Sequence, residues 1–258
     1  MRRGAPGCDA GLPRGLPLAN VPRMPRPLTA LLAALLLLPA AARAGEGPAK
    51  PAAHPAGHAA AGTWAVLVTS RGKIGVRLLP DEAPVGVKNF VDLATGKKEW
   101  HDPKTNAATH ARLYDGTLFH RVIPGFMIQG GDPMSRGAPF LTGPRPPDGA
   151  DNRFGFYSPG YRFADELKAG ERPFDQPCQL AYANSGPDTN GSQFFVTEVP
   201  YASLNPRACP ECKSGLRGYV RFGVGVCGCE RVREIAAAGP SQTRLEKILI
   251  VHQKPSCD

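Results

Sequence analysis

The chain has 258 residues, 42% of them hydrophobic, which allows one domain with a full core or two small ones and excludes a disordered polypeptide. Its formal charge is +9, from 31 basic and 22 acidic residues, but six of the basic residues and one acidic residue fall in the first 44 positions, and without them the charge is +4. That remainder is spread along the chain with no basic run of five, so nucleic-acid binding loses its main support.

The first 44 residues read as a leader. The apolar run LTALLAALLLL (Leu28 to Leu38) follows several arginines and precedes Ala42-Arg43-Ala44, an A-x-A cleavage pattern before Gly45. The run is shorter than the roughly 20 residues a membrane span needs, so a cleaved signal peptide is expected, with translation starting at Met24 and no stable span left in the mature chain. Export to the periplasm or the medium is the expected localisation. Residues 45–62, almost entirely Ala, Pro and Gly with two histidines, have nothing to bury and read as a flexible tether.

An ordered domain is expected over 63–258. WAVLVTS and KIGVRLL flank Arg71-Gly72 and predict a hairpin. In APVGVKNFVDLATG, Pro84 suits a first helical turn, Val87, Phe90, Val91 and Ala94 recur at helical spacing, and Gly96 suits a C-cap. Short apolar stretches punctuated by Gly, Pro, Asn and Asp follow: TLFHRVI, FMIQGG, YRFADE, CQLAYAN, SQFFVTE and YVRFGVGV. This punctuation predicts an all-β barrel or sandwich. CERVREIAAAG then predicts a second helix and RLEKILIVHQ a closing strand, giving two helices and about eight strands, while residues 136–158 read as a long surface loop.

Two segments carry the chemistry. FHRVIPGFMIQGGDP (Phe119 to Pro133) sets one fixed cation, Arg121, and one amide, Gln129, among large apolar residues, and AYANSGPDTNGSQFFVTE (Ala181 to Glu198) adds Gln193, Phe194 and Phe195. No nucleophile stands beside a base, no carboxylates cluster, and no phosphate-cradling loop is present. Such a set can hold an apolar ring and hydrogen-bond an amide. Taken singly, Arg121 could equally be a salt-bridge partner on the surface, and Phe126, Met127 and Phe195 ordinary core. His120 neighbours Arg121, but successive strand side chains point to opposite faces, so a structural histidine facing away from the site is expected.

YDGTLFHRVIPGFMIQGGDP and LAYANSGPDTNGSQFFVTE resemble the signature segments of the cyclophilin-type peptidyl-prolyl cis-trans isomerases, and FVDLATGKKEWHDPKTN resembles the bacterial members in particular. The resemblance runs from about Trp64 to His252. It implies a mainly β fold, a closed eight-stranded antiparallel barrel capped by two helices, and rotation about X-Pro bonds in exported polypeptides without any cofactor. By the same resemblance Arg121 and Gln129 are the catalytic candidates. Phe126, Met127, Ala183, Asn184, Gln193, Phe195, Leu204 and Tyr219 would contact substrate, and the protein would act as a monomer on proline-containing unfolded or flexible chains. The alternative is a proline-peptide binding module or holdase with little turnover.

The chain departs from that family's pattern twice, with insertions at about 136–158 and 205–218. Ser203 stands where many members carry a tryptophan or another bulky residue, and Tyr219 where they carry a histidine. The second insertion brings Cys209-Pro-Glu-Cys212, separated by 14 residues from Cys227-Gly-Cys229. These four can wrap a structural zinc, form two disulfides, or remain as reactive thiols; a thioredoxin-like reading of the first pair lacks a βαβ context. Cys178 and Cys257 remain as a further potential pair.

Overall fold

The structure, a computed structural model, describes residues 62–258; the expected leader and residues 45–61 of the tether lie outside the described residues. In chain order the elements are β1 (Trp64–Thr69), β2 (Gly72–Leu78), α1 (Pro84–Thr95), β3 (Trp100–Asp102), β4 (Ala107–Thr109), β5 (Thr117–Leu118), β6 (Arg121–Ile123), β7 (Met127–Gly130), β8 (Gln179–Tyr182), β9 (Phe194–Thr197), β10 (Arg207–Ala208), β11 (Leu216–Arg217), β12 (Arg221–Cys227), α2 (Glu230–Ala238) and β13 (Arg244–Val251). Among the described residues no helix is long and apolar enough to cross a membrane.

Nine strands form one antiparallel sheet in the order β5-β13-β1-β2-β12-β8-β9-β7-β6. Its two edges, β5 and β6, are consecutive in the chain and separated only by Phe119 and His120. The sheet is therefore strongly curled, with its two edge strands joined by a short stretch of chain. Counting β5 and β6 as one interrupted strand recovers the eight expected. The β1–β2 turn sits at Ser70 and Arg71, one residue earlier than expected, because Gly72 already pairs with Thr69.

α1 begins at Pro84 and ends at Gly96, whose φ of 74° is the left-handed cap conformation a glycine adopts without strain. Ala83 offers no capping side chain. Glu166 supplies the cap from 80 residues away, its carboxylate accepting from the Val85 and Gly86 N–H groups at 2.9 and 2.8 Å. The helix buries Val87, Phe90, Leu93 and Ala94. Phe90 meets Tyr114, Phe194 and Phe222 at ring-centroid distances of 5.1, 5.8 and 5.0 Å, forming the centre of the main core.

Two hairpins, β3–β4 and β10–β11, were not expected, and YRFADE is not a strand: only Phe163 bridges, to Asn190. Asp165 and Asn190 side chains hold that segment in place of a ladder. The 136–158 segment is a loop, as read, but an anchored one.

The cysteines group differently from the expected set of four. Cys209 bonds Cys212 within the β10–β11 hairpin, whereas Cys227 bonds Cys257 and Cys229 bonds Cys178. Cys209, Cys212, Cys227 and Cys229 therefore do not converge on one four-thiolate zinc site. Cys227 ends β12 opposite Gly75 of β2, where the C-terminal tail returns. A Cβ on Gly75 would lie 2.5 Å from the Cys227 Sγ, and one on Gly225 only 2.1 Å from the Cys178 Sγ, so both disulfides occupy space that these glycines leave open.

Candidate active site

The sheet pleat sorts the two signature segments into a core face and a groove face. Val122, Ile128, Leu180, Tyr182, Phe194 and Val196 enter the main core. Their neighbours Met127, Ala181 and Phe195 point the other way and join Phe174 and Leu204 in a second apolar cluster, with Ile123, Phe126, Ala183 and Tyr219 partly buried against it. The register Arg121↔Gln129↔Phe195↔Ala181 runs straight across β6, β7, β9 and β8, so the cation, the amide and the apolar floor share one line on one face.

Arg121 is half-buried and donates from Nη1 to the Gln129 Oε1 at 3.3 Å. Gln129 Nε2 donates to the Gln193 Oε1 at 3.0 Å, and Gln193 Nε2 to the Tyr157 carbonyl at 2.9 Å. A backbone carbonyl can only accept, which fixes the direction of both amides and turns the Gln129 oxygen toward Arg121. No carboxylate among the described residues lies within ion-pair distance of Arg121; Asp151, next to the residue that bridges to Arg121, is held by Arg153 at 2.7 Å. The salt-bridge reading of Arg121 is thereby set aside. Four of its five N–H donors are left for something placed over the groove.

The chain matches the family described as "Cyclophilin type peptidyl-prolyl cis-trans isomerase/CLD" over residues 65–254. It is 53% identical over 141 residues to peptidyl-prolyl cis-trans isomerase B of Streptomyces anulatus, covering 55% of this chain and 70% of that one. It is 46% identical over 143 residues to peptidyl-prolyl cis-trans isomerase A of Mycobacterium tuberculosis, covering 55% and 68%. A crystal structure of a cyclophilin-type peptidyl-prolyl cis-trans isomerase of Cryptosporidium parvum superposes with a TM-score of 0.51 at 26% identity, covering 75% of this chain and 99% of that one. The chain belongs to the cyclophilin-type peptidyl-prolyl cis-trans isomerases.

Every apolar residue expected at the cyclophilin groove reaches the second cluster: Phe126, Met127, Ala183, Phe195, Leu204 and Tyr219. Tyr219 meets Phe195 edge-on at 5.4 Å, so an aromatic wall stands where the sequence left one in doubt. Asn184 is half-buried at the rim and donates to the Gly218 carbonyl at 3.4 Å, at the point where the second insertion re-enters the barrel. Ser203 is exposed.

Two aromatic neighbours of these residues escaped the sequence reading. Phe174, fully buried, stacks under Phe195 at 6.0 Å, and Tyr201, 40% exposed, packs on Phe126 at 4.3 Å. Phe174 lies in ERPFDQP, a segment with no periodicity, and its isolation among polar residues and prolines was the only available signal. Asn205 pins it, accepting from the Phe174 N–H at 2.9 Å.

The 136–158 loop closes the open side of β6. Val122 N–H donates to the Gly149 carbonyl at 2.7 Å, and Asp151 N–H to the His120 carbonyl at 2.7 Å. Asp132, fully buried, accepts from the Gly155 and Tyr157 N–H groups at 2.6 and 3.2 Å and from Gln193 at 3.4 Å. Burial pushes the Asp132 pKa up, with those N–H groups pulling against it. The loop thus supplies the fixed end of the amide relay.

His120 is buried, 2% exposed. Burial pushes its pKa down to about 4, outweighing upward pulls from the Leu118 backbone and the Asp151 charge. The unfolded chain therefore binds this proton near pH 6.5 and the folded chain only near 4, so stability falls as pH drops through that window. The expected loss by pH 4 is about 3 kcal/mol. Urea unfolding at pH 7, 5.5 and 4.5 should show a steeper decline for the wild type than for His120→Leu; parallel curves would contradict the shift.

Proposed function

We propose that the groove binds the proline ring of an X-Pro segment and that Arg121 donates to the proline nitrogen as the preceding peptide bond rotates. Resonance sets that rotation barrier at ~18–20 kcal/mol. In the twisted state the nitrogen pyramidalises and regains its lone pair, so a donor aimed at it stabilises that state more than either planar isomer. Arg121, a guanidinium engaged by one neutral partner only, is the observation that carries this reading. Gln129 orients the guanidinium. Phe126, Met127, Phe195, Leu204 and Tyr219 receive the ring, and Ala183, Asn184 and Gln193 contact the flanking backbone. No step requires a nucleophile, a titrating base or a cofactor.

Proline-containing unfolded or flexible chains are the proposed substrates, and a monomer is sufficient because every named group comes from one chain. Export is the proposed location. It is supported by the leader-like residues 1–44 and by disulfide bonding of all six described cysteines, which suits an oxidising compartment.

A protease-coupled assay on an Ala-Pro tetrapeptide tests the reading. The protein should accelerate cis-to-trans conversion well above the uncatalysed rate, and Gln129→Leu should lower kcat/KM roughly 2- to 10-fold, the worth of one orienting hydrogen bond. Binding of the peptide with no acceleration would favour a binding module instead.

A further inference from the structure

The inserted hairpin carries a cysteine pair that proline isomerisation does not use. The chain leaves the groove wall at Leu204, runs out along β10 and returns along β11 to Tyr219, so both ends of the hairpin are groove residues. Cys209 follows Leu204 by five residues and therefore lies within about 16 Å of it along the chain.

Stability does not account for this disulfide. The hairpin is already closed by the pairs Arg207↔Arg217 and Ala208↔Leu216 and by three backbone bonds at its tip: Cys209 N–H to the Gly215 carbonyl at 2.9 Å, Cys212 N–H to the Cys209 carbonyl at 3.0 Å, and Gly215 N–H to the Cys212 carbonyl at 2.9 Å. A cross-link between residues 3 apart removes little freedom from an unfolded chain, whereas those spanning 51 and 30 residues remove far more. Cys178–Cys229 and Cys227–Cys257 are staples; Cys209–Cys212 calls for a different explanation.

Its chemistry supplies one. Cys209 is 2% exposed and Cys212 is half-exposed, so an incoming thiolate reaches the Cys212 Sγ and expels Cys209. We propose that Cys209–Cys212 is a thiol–disulfide exchange site that oxidises a cysteine pair in a polypeptide whose proline occupies the adjacent groove. One client thiolate attacks the Cys212 Sγ, forming a mixed disulfide and releasing the Cys209 thiolate. The second client thiolate then attacks the client sulfur of that mixed bond, releasing Cys212. Two electrons pass from client to hairpin, the two client thiol protons are taken up by the hairpin thiolates, and a low-molecular-weight disulfide restores the starting pair by the same exchange. The delivery of the client rests on the isomerase reading; the exchange itself does not.

The test uses the purified protein with a reduced, unstructured peptide carrying two cysteines on either side of an Ala-Pro bond. Acid quenching, alkylation and mass measurement follow the thiols, and isomerase activity is read on the same samples. Peptide disulfide should form in step with reduction of Cys209 and Cys212, at one bond per protein. Cys209→Ser and Cys212→Ser should each abolish peptide oxidation, because a lone thiol cannot take two electrons from the reduced peptide. Offered a one-cysteine Ala-Pro peptide activated as its thionitrobenzoate disulfide, Cys209→Ser should expel thionitrobenzoate and capture the peptide through Cys212 faster than Cys212→Ser does through the buried Cys209. Both variants should keep isomerase activity. An Ala-Pro peptide without thiols should slow the exchange by competing for the groove. Oxidation without isomerase activity would leave the exchange site standing and remove the groove as its delivery route. No peptide oxidation by an active isomerase, peptide oxidation by either serine variant, or equally fast capture of the activated peptide by both, would overturn the proposal. So would purification of the pair as a metal-bound dithiolate resistant to disulfides, since Glu211 offers a third ligand within 4.8 Å of both sulfurs.

Discussion

Alanine at position 121 should lower kcat/KM for X-Pro isomerisation by about 10²–10³-fold, the usual consequence of removing one well-aimed donor from a partly dry site. The loss should fall on kcat and leave KM nearly unchanged, because the guanidinium is asked to act on the twisted nitrogen while the apolar cluster around Phe195 does the binding. Stability should change little: Arg121 gives up one hydrogen bond to a neutral amide and no ion pair, worth about 0.5–1.5 kcal/mol. Arg121→Lys should fall between the two, keeping the charge but losing the planar fork that Gln129 orients. A protease-coupled assay with full kcat and KM determination, alongside thermal unfolding, reads all three effects. A rise in KM at constant kcat would mean that Arg121 only holds substrate.

Replacing Cys178 and Cys229 together by serine should cost about 4 kcal/mol of folding stability, because their bond closes a loop of 51 residues in the unfolded chain. For a domain of this size that corresponds to a drop in Tm of about 8–16 °C. Breaking Cys227–Cys257, which spans 30 residues, should cost slightly less. Breaking Cys209–Cys212 should cost least of the three. Denaturant unfolding of the wild type and the three serine pairs gives this ranking, and equal losses for all three would contradict the division between staples and exchange site.

What the sequence disclosed and what it concealed follow from the range of the interactions. The groove residues were named through the family resemblance rather than read from period; what the structure adds is local strand alternation, which puts Met127 and Phe195 on the face opposite Ile128 and Phe194. α1 was legible because Pro84 and Gly96 mark its ends within the segment itself. Phe174, Tyr201 and the Glu166 cap were not, because each works through a partner distant in the chain or through a loop with no period to read. Cysteine spacing misled most. Cys227 and Cys229 stand two apart and invite grouping with the Cys209 pair, yet Cys227 lies opposite Gly75 and meets the returning C-terminal tail, while Cys229 meets Cys178. The loop 136–158 was read correctly as irregular, but its role of holding Tyr157 and Asp132 at the end of the Arg121–Gln129–Gln193 relay lies only in the fold.

The most direct measurement is exchange spectroscopy on an Ala-Pro peptide held at saturation by protein, which reports rotation inside the complex independently of affinity. With the wild type, cis and trans signals of the bound peptide should interconvert many times faster than in free solution. With Arg121→Ala the peptide should still bind and the interconversion should slow toward that of the free peptide. Equal exchange rates in the two complexes would contradict the assignment of Arg121 as the donor to the rotating bond.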